Sequence, residues 1–270
     1  MIKQAIIPLA GLGTRLLPLT SVIPKELLPI NGKAGIEYIL DECIESGITE
    51  VIFIISKRKE SIKKYFFNDS FYKKIIKKSN NRKVKLEYNR IKKYKKMIKF
   101  IYQNTPRGTG DAILKCEKMI KSDFFLMLMP DDLIIKNNCS KNMISLHKKY
   151  KSSLIASKKV DKDNVSRWGI FNLKKINKRD FIIRDVIEKP KKKDAPSRYA
   201  VIGRYILPKK IFKILKKQKA GQNGEIHITD SIRTLVLENN KFIGHIFKGK
   251  YLDCGSMEGY INSSIEISRL

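Results

Sequence analysis

The apolar and polar positions of this 270-residue chain alternate between short strand-like runs and helical stripes. Gln4 to Pro8 reads as a buried strand closed by a turn signal. Ile36, Ile39, Leu40, Cys43 and Ile44 recur at helical spacing over Ile36 to Glu45 and stop at Gly47. Val51 to Ser56 is a second buried run, so strand, loop, helix and strand form a βαβ unit with parallel pairing. Glu60 to Lys78 reads as helical and lysine-rich. Asn80 to Lys99 reads as a basic, solvated excursion holding a short strand at Val84 to Tyr88. A strand at Lys99 to Tyr102 then leads to a helix over Asp111 to Ile120, its inward face Ala112, Ile113, Cys116 and Ile120. Phe124 to Met129 is a continuous apolar strand broken by Pro130 and two acids. Phe181 to Ile187 is a further β-like run, Thr229 suits a helix N-cap, and Ser256 to Ile267 is a closing helix.

Composition narrows the class. With 42% hydrophobic residues the chain can bury a sizeable core. No apolar run is long enough to span a bilayer, and the N-terminus lacks a signal peptide's design, so a cytoplasmic enzyme with no membrane partner is expected. Cys43, Cys116, Cys139 and Cys254 are scattered without metal-ligand spacing, which predicts reduced, mostly buried thiols and no zinc site.

The net charge of +31 taken alone would suggest nucleic acid. The lysines, however, run through the whole chain, and Lys outnumbers Arg by 45 to 12. Ile, Asn and Lys are all abundant, as the codons of an AT-rich genome would give. Clustered Arg with interleaved aromatics is missing, so no specific nucleic-acid partner is expected.

The chemistry gathers first in KQAIIPLAGLGTRLLPLTSVIPKELLP, Lys3 to Pro29. Gly11 and Gly13 let the backbone turn sharply and lie against a ligand. With Arg15 and Lys25 downstream, their amides make a polyphosphate site. A dinucleotide fold would want a third glycine near Leu16 and an acid at the end of the second strand, where Lys57, Arg58 and Lys59 stand instead. A Walker loop would want Gly-Lys-Ser/Thr, which is missing.

At full length, AGLGTR followed by IPKELLP resembles the sugar-nucleotide pyrophosphorylases, most of all the bacterial UTP–glucose-1-phosphate uridylyltransferases. Six separated motifs fall in that family's order. The resemblance implies an α/β fold: a Rossmann-like, GT-A-like, open, mostly parallel (mixed) twisted sheet flanked by helices, in one domain spanning 1–270. The nucleotide-binding half would take about residues 1–135 and the sugar-phosphate half about 136–270.

By that resemblance, Ala10, Gly11 and Gly13 contact substrate, and Gln103 and Gly108 touch the base. Asp131 of Pro-Asp-Asp and Asp253 of Tyr-Leu-Asp-Cys-Gly hold Mg²⁺. Gly169 of Arg-Trp-Gly and Gly203 of Val-Ile-Gly-Arg lie against the sugar. In Glu188-Lys189-Pro190 the carboxylate holds sugar hydroxyls and the lysine holds phosphate. Arg15, Lys25, Asp131 and Lys189 are the implied catalytic set. UTP and glucose 1-phosphate are the implied substrates, and a homodimer or homotetramer is expected. The departures are few: Asp132 stands where an apolar or amide residue is usual, Lys33-Ala34-Gly35 replaces Lys-Pro-x, and the C-terminus stops before an extra helical tail. The alternatives are a thymidylyl- or other nucleotidyltransferase of the same fold, or a regulatory paralogue without turnover. His227 stands alone and is expected to pack rather than react.

Overall fold

The computed structural model describes residues 1–67, 70–221 and 224–270. The chain opens with β1 (Gln4–Pro8), the short pair β2 (Pro29–Ile30) and β3 (Lys33–Ala34), and α1 (Gly35–Glu45). β4 (Glu50–Ile55) leads into α2 (Glu60–Phe67), α3 (Ser70–Lys78), α4 (Arg82–Arg90) and α5 (Lys92–Lys95). β5 (Ile98–Tyr102), α6 (Thr109–Leu114), β6 (Phe124–Leu128), β7 (Asp132–Ile135) and α7 (Cys139–Tyr150) follow. Four strands come next: β8 (Ser153–Lys159), β9 (Gly169–Lys175), β10 (Asp180–Glu188) and β11 (Tyr199–Pro208). The chain closes with α8 (Ile211–Lys217), α9 (Ile228–Leu237), β12 (Phe242–Ile246), β13 (Lys250–Asp253) and α10 (Met257–Ser268).

Among the described residues, nine strands pair in the order β5-β4-β1-β6-β11-β8-β12-β10-β9. Pairing is parallel through β5, β4, β1 and β6, and again between β8 and β12. The other neighbours are antiparallel, so the mixed character lies in the second half. Ala200 of β11 also pairs with Ile170 of β9, which curls that half back on itself.

Successive strand residues face opposite sides, so each apolar run feeds two cores. Ile7, Phe53 and Leu126 pack with Ile36, Ile39 and Leu40 of α1 and Met143 of α7. On the other face Ile6, Ile52, Phe125 and Met127 pack with Ala112 and Ile113 of α6, Phe212 of α8, and Ile232 and Leu235 of α9. Cys43, Cys116 and Cys139 are buried free thiols, and Cys254 is partly buried. Among the described residues, no helix is long and apolar enough to cross a membrane.

Five sequence expectations need correction. Val84 to Tyr88 is not a strand but the middle of α4, where the Asn81 side chain accepts from the Val84 N–H and caps the helix. β5, the outermost strand of the sheet, pairs with β4 and takes no further strand from this segment. The 80–99 excursion is solvated only in its first half. Tyr94, Met97 and Ile98 are buried, Tyr94 donates to Asp41 of α1 at 2.8 Å, and Arg90 pairs with Glu37. Thr229 is not the cap of α9: His227 occupies that position without a side-chain cap, and Thr229 is buried in the first turn. The helix expected over 111–120 is shorter, with α6 ending at Leu114 and a separate turn at Glu117–Met119, although all four inward residues are buried. The helical stretch expected over 60–78 is two helices, with 68–69 outside the described residues.

Candidate active site

In the parallel half, the loops after β1, β5 and β6 leave the same edge of the sheet, where open α/β sheets bind ligands. Two abutting cavities lie there. One, of about 380 Å³, is lined by Ala10, Gly11, Gly13, Lys25, Gln103, Gly108 and Asp131. The other, of about 430 Å³, is lined by Arg15, Asp131, Gly169, Glu188, Lys189, Gly203 and Asp253. Every site residue expected from the sequence therefore lines one cavity or the other, and Asp131 lines both.

The loop after β1 is built for close approach. Gly13 has φ +72°, and a Cβ there would sit 3.2 Å from Thr20 Cγ2, whose hydroxyl donates to the Gly13 carbonyl at 2.9 Å. The space beside Gly11 is open. Behind the loop, Lys25 Nζ lies 2.7 Å from Asp131 Oδ2, and Arg15 Nη2 lies 3.7 Å from the same oxygen. Burial opposes the ionised Asp131 carboxyl, but the Lys25 ammonium outweighs it and holds its pKa below the usual carboxylate value. Burial likewise opposes the Lys25 ammonium, and Asp131 with Glu26 outweighs it and raises its pKa.

Gln103 is buried at the end of β5. Its Nε2 donates to Asp111 Oδ2 at 2.7 Å and to the Gly108 carbonyl at 3.2 Å. A carboxylate only accepts, so Asp111 fixes the amide's orientation and leaves Oε1 for the cavity. Gly108 has φ +96°, and a Cβ there would meet the Ile226 carbonyl at 2.6 Å, so glycine lets residues 225–226 close over the base of the loop.

The second carboxylate arrives by a route the sequence did not show. Asp253 ends β13, which is not in the main sheet but pairs with β7 as a two-stranded ribbon, Asp253 opposite Asp132. The ribbon folds Asp253 back beside Asp131, and the Cys254 N–H donates to the Asp131 carbonyl at 2.8 Å. A Cβ on Gly255 would sit 3.0 Å from Asp131 Oδ2 and 3.0 Å from Asp253 Oδ1. The two carboxylates thus face a common point. Among the described residues no group of three or more His, Cys, Asp or Glu could hold a metal ion. Mg²⁺ often takes one or two protein carboxylates and completes its shell with phosphates and water, so this pair fits it.

Asp132 turns its carboxylate elsewhere. Oδ2 accepts from the Gly203 N–H at 2.8 Å and Oδ1 from the Tyr251 hydroxyl at 2.6 Å. Burial and the neighbouring Asp131 charge raise its pKa above the usual carboxylate value. A Cβ on Gly203 would lie 2.4 Å from Asp132 Oδ2 and 2.4 Å from Met129 Cβ, so glycine there first makes room for Asp132 and Met129. Lys189 holds a left-handed φ of +44°, which lysine rarely adopts, and its N–H donates to the Trp168 carbonyl at 3.1 Å.

Sequence reasoning passed over several residues. Glu26 lines the first cavity, is buried, and is gripped by Lys59 at 2.8 Å through each oxygen. It lies inside IPKELLP, the one signal that could have flagged it. Burial lowers the Lys59 pKa despite that partner. Arg167 and Tyr251 line the second cavity, with Arg167 Nη2 3.3 Å from Asp253 Oδ2. His227, expected from the sequence only to pack, also lines it, 3.9 Å from Glu225.

The profile of the nucleotidyl transferase family matches residues 4–269. This chain belongs to that family. A UTP–glucose-1-phosphate uridylyltransferase of Bacillus subtilis is 34% identical over 271 residues, covering 99% of this chain and 91% of its own length. One of Streptococcus pyogenes is 36% identical over 273 residues, covering 98% of this chain and 90% of its own. The crystal structure of a UDP-glucose pyrophosphorylase complexed with UDP-glucose superposes with a TM-score of 0.89 at 37% identity, over 100% of this chain and 99% of that one. The mixed sheet with flanking helices is the nucleotidyltransferase fold.

Proposed function

We propose that this nucleotidyltransferase joins UTP to α-D-glucose 1-phosphate, giving UDP-glucose and pyrophosphate. The observation that carries the reading is the meeting of the two cavities at Asp131, with Gln103 in one and Lys189 in the other. Two substrates placed in them would meet phosphate to phosphate, beside a pair of carboxylates.

An oxygen of the sugar phosphate attacks the α-phosphorus of UTP, and the bond to the pyrophosphate oxygen breaks in line. No protein nucleophile is needed. Catalysis comes from aligning two anions that repel one another and from fixed cations facing the charge that shifts to the leaving group. The amides of Ala10 to Gly13, with Arg15 and Lys25, hold the triphosphate, and Lys189 holds the sugar phosphate. Gln103 Oε1 accepts from the N3–H of uracil, while cytosine presents an acceptor there and is rejected. Glu188 takes sugar hydroxyls, and Gly169 and Gly203 lie under the sugar. Asp131 and Asp253 would hold Mg²⁺, which supplies charge neutralisation between the phosphates when bound.

The likeness to curated uridylyltransferases supports this choice of substrates over a thymidylyl transfer. The enzyme works in the cytoplasm as a homodimer or homotetramer, without a specific nucleic-acid partner. The test is pyrophosphate release with glucose 1-phosphate across the four ribonucleoside triphosphates and dTTP. UTP-dependent release is expected, and a preference for dTTP or no release would overturn the reading.

A further inference from the structure

Two buried side chains outside both cavities, Glu42 of α1 and Arg204 of β11, form a forked ion pair. Arg204 Nε lies 3.0 Å from each Glu42 carboxylate oxygen, and Nη2 lies 2.8 Å from Oε2. Arg204 is 0% exposed. Glu42 also accepts from the Ser140 hydroxyl at 2.5 Å and the Ser140 N–H at 3.1 Å, which ties α1 to the start of α7. The carboxylate is therefore held from two sides and holds the guanidinium in turn.

The remaining edge of the guanidinium points toward the reaction site. Nη1 donates to the Gly203 carbonyl at 2.9 Å and to the Met129 carbonyl at 3.3 Å. The Met129 N–H donates to the Gly203 carbonyl at 2.9 Å, and the Gly203 N–H donates to Asp132 Oδ2 at 2.8 Å. Met129 begins the turn that presents Asp131. A buried ion pair is a weak source of stability, since apolar side chains of similar volume often serve as well or better. Arg204 instead has a rigid, planar set of donors that fixes directions, which suits it to holding a turn.

We propose that the Glu42–Arg204 pair is a positioning device for Asp131. It pins the carbonyls of Met129 and Gly203 and so sets where the 130–132 turn carries its carboxylate against Asp253. The proposal rests on the reading that Asp131 acts in nucleotidyl transfer, so its test includes a readout that needs no turnover.

The double variant Glu42→Met/Arg204→Met removes both charges at similar volume, and Arg204→Lys keeps the charge but loses the fork. Hydrogen exchange in peptides covering 129–132 and 203 is measured on substrate-free protein, beside Tm, kcat and the KM for UTP. Both variants are expected to exchange at least tenfold faster in those peptides, while β1 and β4 keep wild-type rates. Their kcat should fall roughly a hundredfold, the order of loss that a displacement near 1 Å can cause, with the KM for UTP moving much less. Wild-type exchange in the turn, or faster exchange everywhere alike, would overturn the proposal. If the double variant does not fold, Arg204→Lys decides by the same readings. A wild type that releases no pyrophosphate defeats the proposed reaction instead, and the exchange rates still judge the positioning.

Discussion

Gln103 donates to Asp111 at 2.7 Å, and with the longer bond to the Gly108 carbonyl that contact sets which end of the amide faces the cavity. If Gln103 reads the base as proposed, Asp111 orients it. Gln103→Ala should lower kcat/KM for UTP by roughly ten- to a hundredfold, the cost of about 1–3 kcal/mol for a lost bond in a buried pocket. Glucose 1-phosphate kinetics should barely change. Asp111→Ala should leave more UTP activity but narrow the preference for UTP over CTP, since only the longer bond to the Gly108 carbonyl then holds the amide. Steady-state kinetics on both nucleotides check the pair, and unchanged UTP kinetics in Gln103→Ala would remove it from the site.

Acid stability should depend on Asp41, which ties the 80–99 segment to α1. Its carboxylate accepts from Lys93 at 2.6 Å, Tyr94 at 2.8 Å and Lys33 at 3.1 Å. Burial opposes its ionised form, but these donors outweigh it and lower the pKa. A carboxyl whose pKa is depressed on folding contributes stability above its unfolded value, about 3.9. That contribution is lost as pH falls through the folded value. Asp41→Asn should therefore lower Tm by about 2–4 °C at pH 7 if the donors are worth about 1 kcal/mol. The gap to wild type should close as pH falls below about 4, where the unfolded carboxyl protonates. A gap that stays constant from pH 7 to pH 3 would refute the linkage.

The sequence made the site legible where chemistry is carried by local motif. The loop after β1 and the turn at 130–132 are short, and each shows its cavity-lining glycines or acids in order. It was silent where contacts cross long separations. Nothing near Asp253 says that its strand leaves the main sheet to pair with β7, because register is a tertiary property. Nothing near Glu26 says that Lys59 will meet it. The strand expected at Val84 to Tyr88 fails for a local reason. Val84, Leu86 and Tyr88 alternate as a strand would, yet the Asn81 side chain caps a helix there and the helix wins.

The basic surface should bind polyanions without choosing among them. Positions 57–99 hold 18 Lys or Arg against 3 Asp or Glu, and most of the described lysines there are exposed. Duplex DNA binding, measured by fluorescence anisotropy, should be indifferent to sequence and lost near physiological salt. A sequence-selective complex that survives such salt would mean the charge has a nucleic-acid function after all.

The two carboxylates that face Gly255 carry the sharpest prediction. Brought together without a cation, Asp131 and Asp253 would repel. Asp131 stays ionised because Lys25 lies against it, and Asp253 has Arg167 at 3.3 Å. A hard divalent ion would take over that balancing and free the cations for phosphate. Asp131→Asn and Asp253→Asn should each fold, Asp131→Asn with the lower Tm because Lys25 loses its nearest partner. Each should lose roughly a hundredfold or more of turnover, a typical effect of removing one group that stabilises transition-state charge. UTP affinity measured by calorimetry with Mg²⁺ present should fall too, and EDTA should silence the wild type. Asp132→Asn should behave differently, since its oxygens serve Gly203 and Tyr251 rather than the shared point. It should lower Tm more than it lowers kcat. If Asp131→Asn and Asp253→Asn both kept near-native rates with Mg²⁺, the two carboxylates would not be the metal site, whatever their geometry.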